Sequence, residues 1–216
     1  MPALEHRRKH LGFEDECNLF PDTIRAVLAL KSKAILIENV RGLTRQTFAN
    51  YSSYIQFMLQ FPEITRRDDE DRIDHRARLE PYVTSGGKGY SGLRYHVLPK
   101  VLNAAQFGIP QKRERVFIVC FRSDIRAKWK FPEEKYSEKA LLASQWITGQ
   151  YWERHEVASK DRPPRPVGIE NRLNGELFQS SLPWKTVRDV IKRLPDPESR
   201  DASEIPNHIF QPGART

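Results

Sequence analysis

Three polar side chains spaced two apart, Gln111, Arg113 and Arg115, open the stretch FGIPQKRERVFIVCF, which continues as Phe117, Val119 and Phe121. Residues two apart on a strand share a face, so this spacing predicts a face with a polar mouth and an apolar interior. A guanidinium presents several donors at fixed angles and suits a phosphate, a carboxylate or a nucleobase oxygen better than a lysine does. The second candidate is Glu38 in ILIENVRGL. It ends an apolar strand, at the edge where ligands of open α/β sheets bind. A carboxyl group half removed from water there would hold a proton that it could donate to a ring nitrogen. Plainer readings stand beside these two. The arginines could be the charges that keep an edge strand from aggregating, and Glu38 could be a strand-terminal acid that caps the next helix.

The elements that must position these residues are legible in outline. PDTIRAVLALKSK sets Ile24, Val27, Leu28 and Ala34 at helical intervals and predicts an amphipathic helix of about three turns. AILIEN is a short unbroken apolar run, as expected of a parallel strand buried on both faces. Gly42 breaks the chain, and from Thr44 the positions Phe48, Tyr51, Ile55, Met58 and Leu59 trace a second helix that stops before Pro62. Helix, strand, helix implies α/β architecture. The charge-dense TRRDDEDRIDHRARLE and the glycine-rich TSGGKGYSG then read as exposed connection. LRYHVLPKVLNAAQFGIPQKRERVFIVCFR gives two strand-like runs with turn chemistry at Gly108 and Pro110, hence a β-hairpin at a sheet edge. Beyond Arg122 the composition changes. SEKALLASQWITGQYWERH reads as helical, SKDRPPRPVG as a connection, and TVRDVIKRLPDP as a short helix capped by Thr186 and ended before Pro195. Two units are expected, 1–122 and 123–216.

The bulk numbers narrow the class. The chain has 216 residues and a formal charge of +8, which favours a polyanionic partner such as nucleic acid. Its two cysteines, Cys17 and Cys120, are far apart and without metal-ligand spacing, so neither a disulfide framework nor a metal site is expected. No apolar run is long enough to span a bilayer, and MPALEHRRKH has no apolar signal core. A soluble, cytoplasmic protein with no membrane partner is the expectation.

Taken together, ENVRGL and LNAAQFGIPQKRERVFIV closely resemble the cytosine-specific DNA methyltransferases that modify carbon 5 of the base. An ENV motif is matched by Glu38, Asn39 and Val40, and a Q-x-R-x-R motif by Gln111, Arg113 and Arg115. LGFEDECNLFPDTIRAV resembles the family segment before ENV, and looser likeness runs through WITGQYWERH and TVRDVIKRLP. The resemblance implies an incomplete Rossmann-like S-adenosylmethionine-dependent methyltransferase fold, represented by the later half of its sheet with a terminal β-hairpin, followed by the start of a target-recognition region. It also implies double-stranded DNA as partner, with one cytosine flipped out of the helix. Glu38 would then contact ring nitrogen 3 and the exocyclic amine, and Arg115 the carbonyl oxygen at carbon 2. Arg113 would support the site or the DNA backbone, and Leu19 would touch the adenine of S-adenosylmethionine.

The chain departs from that family in three places, one of them at its far end, where most of the target-recognition region and the closing motifs are absent. It contains no Pro-Cys-Gln, the family's nucleophile motif, and no glycine-rich first strand and turn for the cofactor. Cys17 reads as a bystander and Cys120 as a core thiol. The expectation is therefore an internal piece of a methyltransferase that transfers no methyl group alone and exposes a sheet edge. Two alternatives stay open: a non-catalytic DNA-binding subunit, and a split enzyme completed by a chain carrying the missing amino-terminal half.

Overall fold

The computed structural model describes residues 19–173 and 181–209. Cys17 and the last residues of NHIFQPGART lie outside the described residues. The chain forms two compact units. Residues up to Leu102 together with Glu114–Lys130 make the first; Asn103–Arg113 and the residues from Phe131 onward make the second.

The first unit starts with helix α1, Phe20–Leu30, which buries Phe20, Ile24 and Val27 along one stripe. Pro21 suits its first turn, where backbone N–H groups have no partner within the helix. The helix ends at Lys31, whose left-handed backbone directs its N–H to the Val27 carbonyl. Ala34 therefore leaves the expected helical stripe and opens strand β1, Ala34–Val40. After two short 3-10 turns comes helix α2, Ala49–Gln60, burying Tyr54, Ile55 and Leu59. Helix α3, Arg72–Thr84, follows, and then strands β2, Tyr95–Asn103, and β3, Glu114–Arg122.

The three strands form a sheet in the order β1-β3-β2. The expected hairpin is present. Its ladder is closed by Ala104 N–H donating to the Arg113 carbonyl at 2.9 Å and, at the far end, by Ser123 N–H donating to the Arg94 carbonyl at 2.8 Å.

The structure departs from expectation at three points. The β1 strand is not parallel and not buried on both faces: it runs antiparallel to β3, and its alternate residues Ala34, Leu36, Glu38 and Val40 are exposed. An apolar run specifies strand formation, whereas direction and burial are set by what packs against the strand. Second, the regular strand begins only at Glu114, so Gln111 and Arg113 lie before it and do not extend the face of Arg115. The main core takes the opposite face of β3, with Val116, Ile118 and Cys120 packed among Phe20, Ile24, Val27, Ile55 and Leu59. Phe117, Val119 and Phe121 do not belong to that cluster, although Val119 is buried and the Phe121 ring meets Trp129 at 5.7 Å. Third, the charge-dense stretch is a helix rather than a connection. Asp71 caps α3 by accepting from the Asp74 N–H, and the helix buries His75 and Leu79 against Tyr54 and Phe61. Two inward residues are enough when the rest of the helix surface is solvated, which is why the apolar pattern was too sparse to reveal it. Arg78 pairs with Glu70 through two contacts of 2.7 Å and so ties α3 to the turn preceding it.

The second unit contains a small parallel sheet, β4 (Tyr136–Ser137) with β5 (Leu182–Pro183), and helices α4 (Glu138–Trp146), α5 (Gln150–Arg154), α6 (Ile169–Leu173) and α7 (Val187–Ile191). The single helical stretch expected over Ser137–His155 is two helices, because Gly149 takes a left-handed backbone between them. Ala143, Ile169 and Leu173 form a local core. Gly108 is required twice over: its φ is 84°, and an added Cβ would lie 2.8 Å from the Tyr136 ring. Thr186 caps α7 as expected, in a reciprocal capping box with Asp189.

Candidate functional site

The antiparallel register sets Glu38 opposite Phe117 and Val40 opposite Arg115. Glu38 and Arg115 are thus diagonal neighbours on one face, within reach of each other's long side chains. They meet: Arg115 Nε donates to Glu38 Oε1 at 2.7 Å. The Glu38 side chain is 49% exposed and that of Arg115 is 24% exposed. The guanidinium is further anchored by a 2.8 Å hydrogen bond from Nη1 to the Glu114 carbonyl. Glu38 does not cap the next turn, which has no side-chain cap. Its carboxylate is held by a cation rather than standing alone and half removed from water.

A second ion pair lies just beyond, between Arg41 Nη1 in the turn after β1 and Glu114 Oε2 at the start of β3. Sequence reasoning did not single out either residue, and no local pattern could have done so, because their meeting follows from the register. Asn39 uses its own Oδ1 to accept from the Val40 N–H at 2.7 Å, which fixes the end of β1 beside Glu38. The face carrying the pair therefore offers a carboxylate and a guanidinium side by side. Together they can accept and donate to adjacent edge atoms of one planar heterocycle.

The other expected residues are placed as follows. Gln111 and Arg113 are exposed in the hairpin closure that belongs to the second unit. Leu19 is 68% exposed at the start of α1, its carbonyl accepting from Thr23. Cys120 is wholly buried on β3, and burial pushes its thiol up to about 12, which leaves it protonated and unavailable as a nucleophile. Among the described residues no helix is long and apolar enough to cross a membrane.

In the second unit, Asp189 collects several donors. It accepts from Thr186, from Arg154 Nη2 at 2.8 Å and from His155 Nε2 at 2.9 Å. Burial pushes the Asp189 carboxyl up, but the hydrogen bonds from Thr186 and the charge of Arg154 outweigh it, and the net shift is downward. The T-V-R-D spacing was the readable signal for this acid.

A family model for C-5 cytosine-specific DNA methylases matches residues 6–61 and 88–188, well over half of the chain. Among characterised proteins, the type II methyltransferase M.HaeII of Haemophilus aegyptius is 28% identical over 211 residues, covering 88% of this chain and 56% of its own length. M.NgoMIV of Neisseria gonorrhoeae, also a type II methyltransferase, is 32% identical over 132 residues, or 61% of this chain and 32% of its own. The DNA (cytosine-5-)-methyltransferase M.ApeKI of Aeropyrum pernix is 27% identical over 180 residues, covering 80% and 34%. The chain spans between about a third and just over half the length of these relatives.

Proposed function

The chain belongs to the C-5 cytosine-specific DNA methylase family, and from that premise we propose that it supplies the base-reading edge of a DNA (cytosine-5-)-methyltransferase. The observation that carries this reading is the 2.7 Å contact between Glu38 and Arg115, which unites two motifs more than seventy residues apart on one strand face. In the reaction a cytosine is extruded from double-stranded DNA and presents its Watson–Crick edge to this pair. Glu38 holds ring nitrogen 3 and the exocyclic amine, and Arg115 holds the oxygen at carbon 2. Preorganised donors of this kind contribute roughly 3–4 kcal/mol each where charge develops on the ring. Arg113 supports the DNA backbone. With no base bound the acid and the guanidinium satisfy each other, so base entry exchanges one set of charged hydrogen bonds for another.

S-adenosylmethionine supplies the methyl group when bound. Of the residues here Leu19 is the one that would touch its adenine, and its exposed side chain at the start of α1 suits such a contact. The first unit is the later half of a Rossmann-like sheet with its terminal hairpin, and the second unit begins the target-recognition region. M.HaeII and M.NgoMIV are type II methyltransferases, which favours a restriction-modification setting.

The sequence contains no Pro-Cys-Gln, and Cys120 is buried, so the chain alone transfers no methyl group. A Pro-Cys-Gln loop and a glycine-rich first strand, in the same polypeptide or in another, complete the enzyme. The formal charge of +8 favours a second reading, a non-catalytic DNA-binding subunit. The test is transfer of labelled methyl from S-adenosylmethionine to duplex DNA, with this chain alone and mixed with such an amino-terminal half. The expected result is no transfer alone, transfer in the mixture, and a fall of about a hundredfold with Glu38→Gln. Transfer by the chain alone, or a mixture indifferent to Glu38→Gln, refutes the proposal; a mixture that binds DNA without transferring methyl supports the second reading.

A further inference from the structure

Residues 62–87 lie between the two stretches that match the family model. They are not a bare loop. They carry α3, and together with α1 and α2 they enclose a cleft of about 400 Å³, inside the range of roughly 300–1,000 Å³ typical of small-molecule sites. One wall comes from the scaffold: Phe20, Ile24 and Leu28 on α1 and Tyr51, Tyr54 and Met58 on α2. The facing wall comes from the intervening residues, with Pro62, Ile64 and His75 inside and Arg66 and Arg72 beside them.

The chemistry of the two walls differs. Inside, the polar groups are already committed. His75 Nε2 lies 2.7 Å from the Ile64 carbonyl, which can only accept, so Nε2 carries the proton. Nδ1 is then the acceptor for the Tyr54 hydroxyl at 2.7 Å. Burial pushes the His75 pKa down, keeping the ring neutral. The interior is therefore uncharged and walled by aromatic rings and a thioether. The rim is cationic. Arg25, Arg66 and Arg72 line it, and the last two lie near enough to the Tyr54 phenol to oppose the upward push of burial on its pKa. An apolar aromatic slot under a guanidinium rim discriminates for a flat ring that carries an anionic group.

We propose that this cleft binds a planar aromatic anion of mononucleotide size, its ring between α1 and α2 and its anionic group at Arg66 and Arg72. The site is separate from the Glu38–Arg115 pair and does not depend on the methyltransferase reading. Its scaffold wall is shared with the family match, whereas its specificity comes from residues outside that match.

The sequence supplies its own reporter, because it holds only two methionines, Met1 and Met58, and Met58 lines the cleft. With the full chain labelled at its methionine methyl groups, a nucleoside monophosphate is titrated and the Met58 resonance followed; the matching uncharged nucleoside, inorganic phosphate and a short DNA duplex are parallel arms. The expected result is a saturable Met58 shift with the monophosphate, at least about tenfold weaker binding of the nucleoside and of phosphate, and about tenfold weaker binding of the monophosphate to Arg66→Ala. Arg66 is exposed, so that variant keeps the fold, and its unperturbed Met58 signal without ligand verifies this. A Met58 signal indifferent to the monophosphate, equal affinity for the nucleoside, or undiminished binding by Arg66→Ala overturns the proposal. A duplex that shifts Met58 as strongly as the mononucleotide overturns it as a small-ligand site while leaving the role of Glu38 and Arg115 untouched.

Discussion

Glu38 and Arg115 occupy diagonal positions across the β1–β3 ladder and are joined at 2.7 Å, although 76 positions separate them in the chain. The contact is half open to solvent on the acid's side, where an ion pair contributes only about 0–1 kcal/mol to stability. Glu38→Gln should therefore change the denaturant midpoint by the equivalent of less than about 1 kcal/mol. A substantially larger loss would mark the pair as structural rather than as a site held in readiness.

Stability should fall as the medium becomes mildly acidic. His75 is 1% exposed, and its burial lowers its folded-state pKa below the ordinary 6.5. The unfolded chain therefore binds the proton more readily, so the stability associated with the neutral ring is complete above about 6.5 and drains away as pH drops below it. Thermal unfolding followed from pH 7.5 to pH 5 should show this slope, and His75→Gln should flatten it.

A second, more acidic transition belongs to Glu70. The hydrogen bonds from Arg78 hold its carboxyl at about 2, against an ordinary 4.5. A depressed carboxylate contributes stability above its unfolded value and loses it as pH falls toward the folded one, so the window runs from about 4.5 down to about 2. Glu70→Gln should remove this component; an unchanged acid limb in the variant would assign the transition to other groups.

Cys120 should resist alkylation while the protein is folded. Its thiol is wholly buried and pushed up to about 12 by burial, so very little thiolate exists at pH 8. Peptide mapping after iodoacetamide treatment should find Cys120 unmodified until denaturant is added. Prompt native-state labelling would show that β3 opens readily.

Thr186 should matter more than its size suggests. It shares a capping box with Asp189 and its hydroxyl also lies 3.0 Å from the Tyr151 hydroxyl. Thr186→Ala should cost about 1 kcal/mol in chemical denaturation and Thr186→Ser distinctly less, since serine keeps the capping oxygen.

Much of the scaffold could be read from local pattern. The stripe of Ile24 and Val27 announced α1, the run from Ala34 announced β1, and Gly108 between two apolar runs announced the hairpin. The helix α3 was hidden because its charge density masks the two buried residues, His75 and Leu79, that pay for its order. The cleft beside it was hidden with it.

What the sequence determined by itself is which groups are available: an acid at the end of a strand, an arginine at the start of another, and the helices and turns whose periodicity and φ preferences are encoded within a few residues. Only the tertiary structure decided that β1 runs against β3, that Val116, Ile118 and Cys120 rather than Phe117 and Phe121 take the main core, and that Arg113 stays off the face on which Arg115 meets Glu38. The physical reason is that side-chain period and turn chemistry are local properties of the chain, whereas strand direction, register and the face chosen for burial are settled by free energy summed over contacts between distant segments.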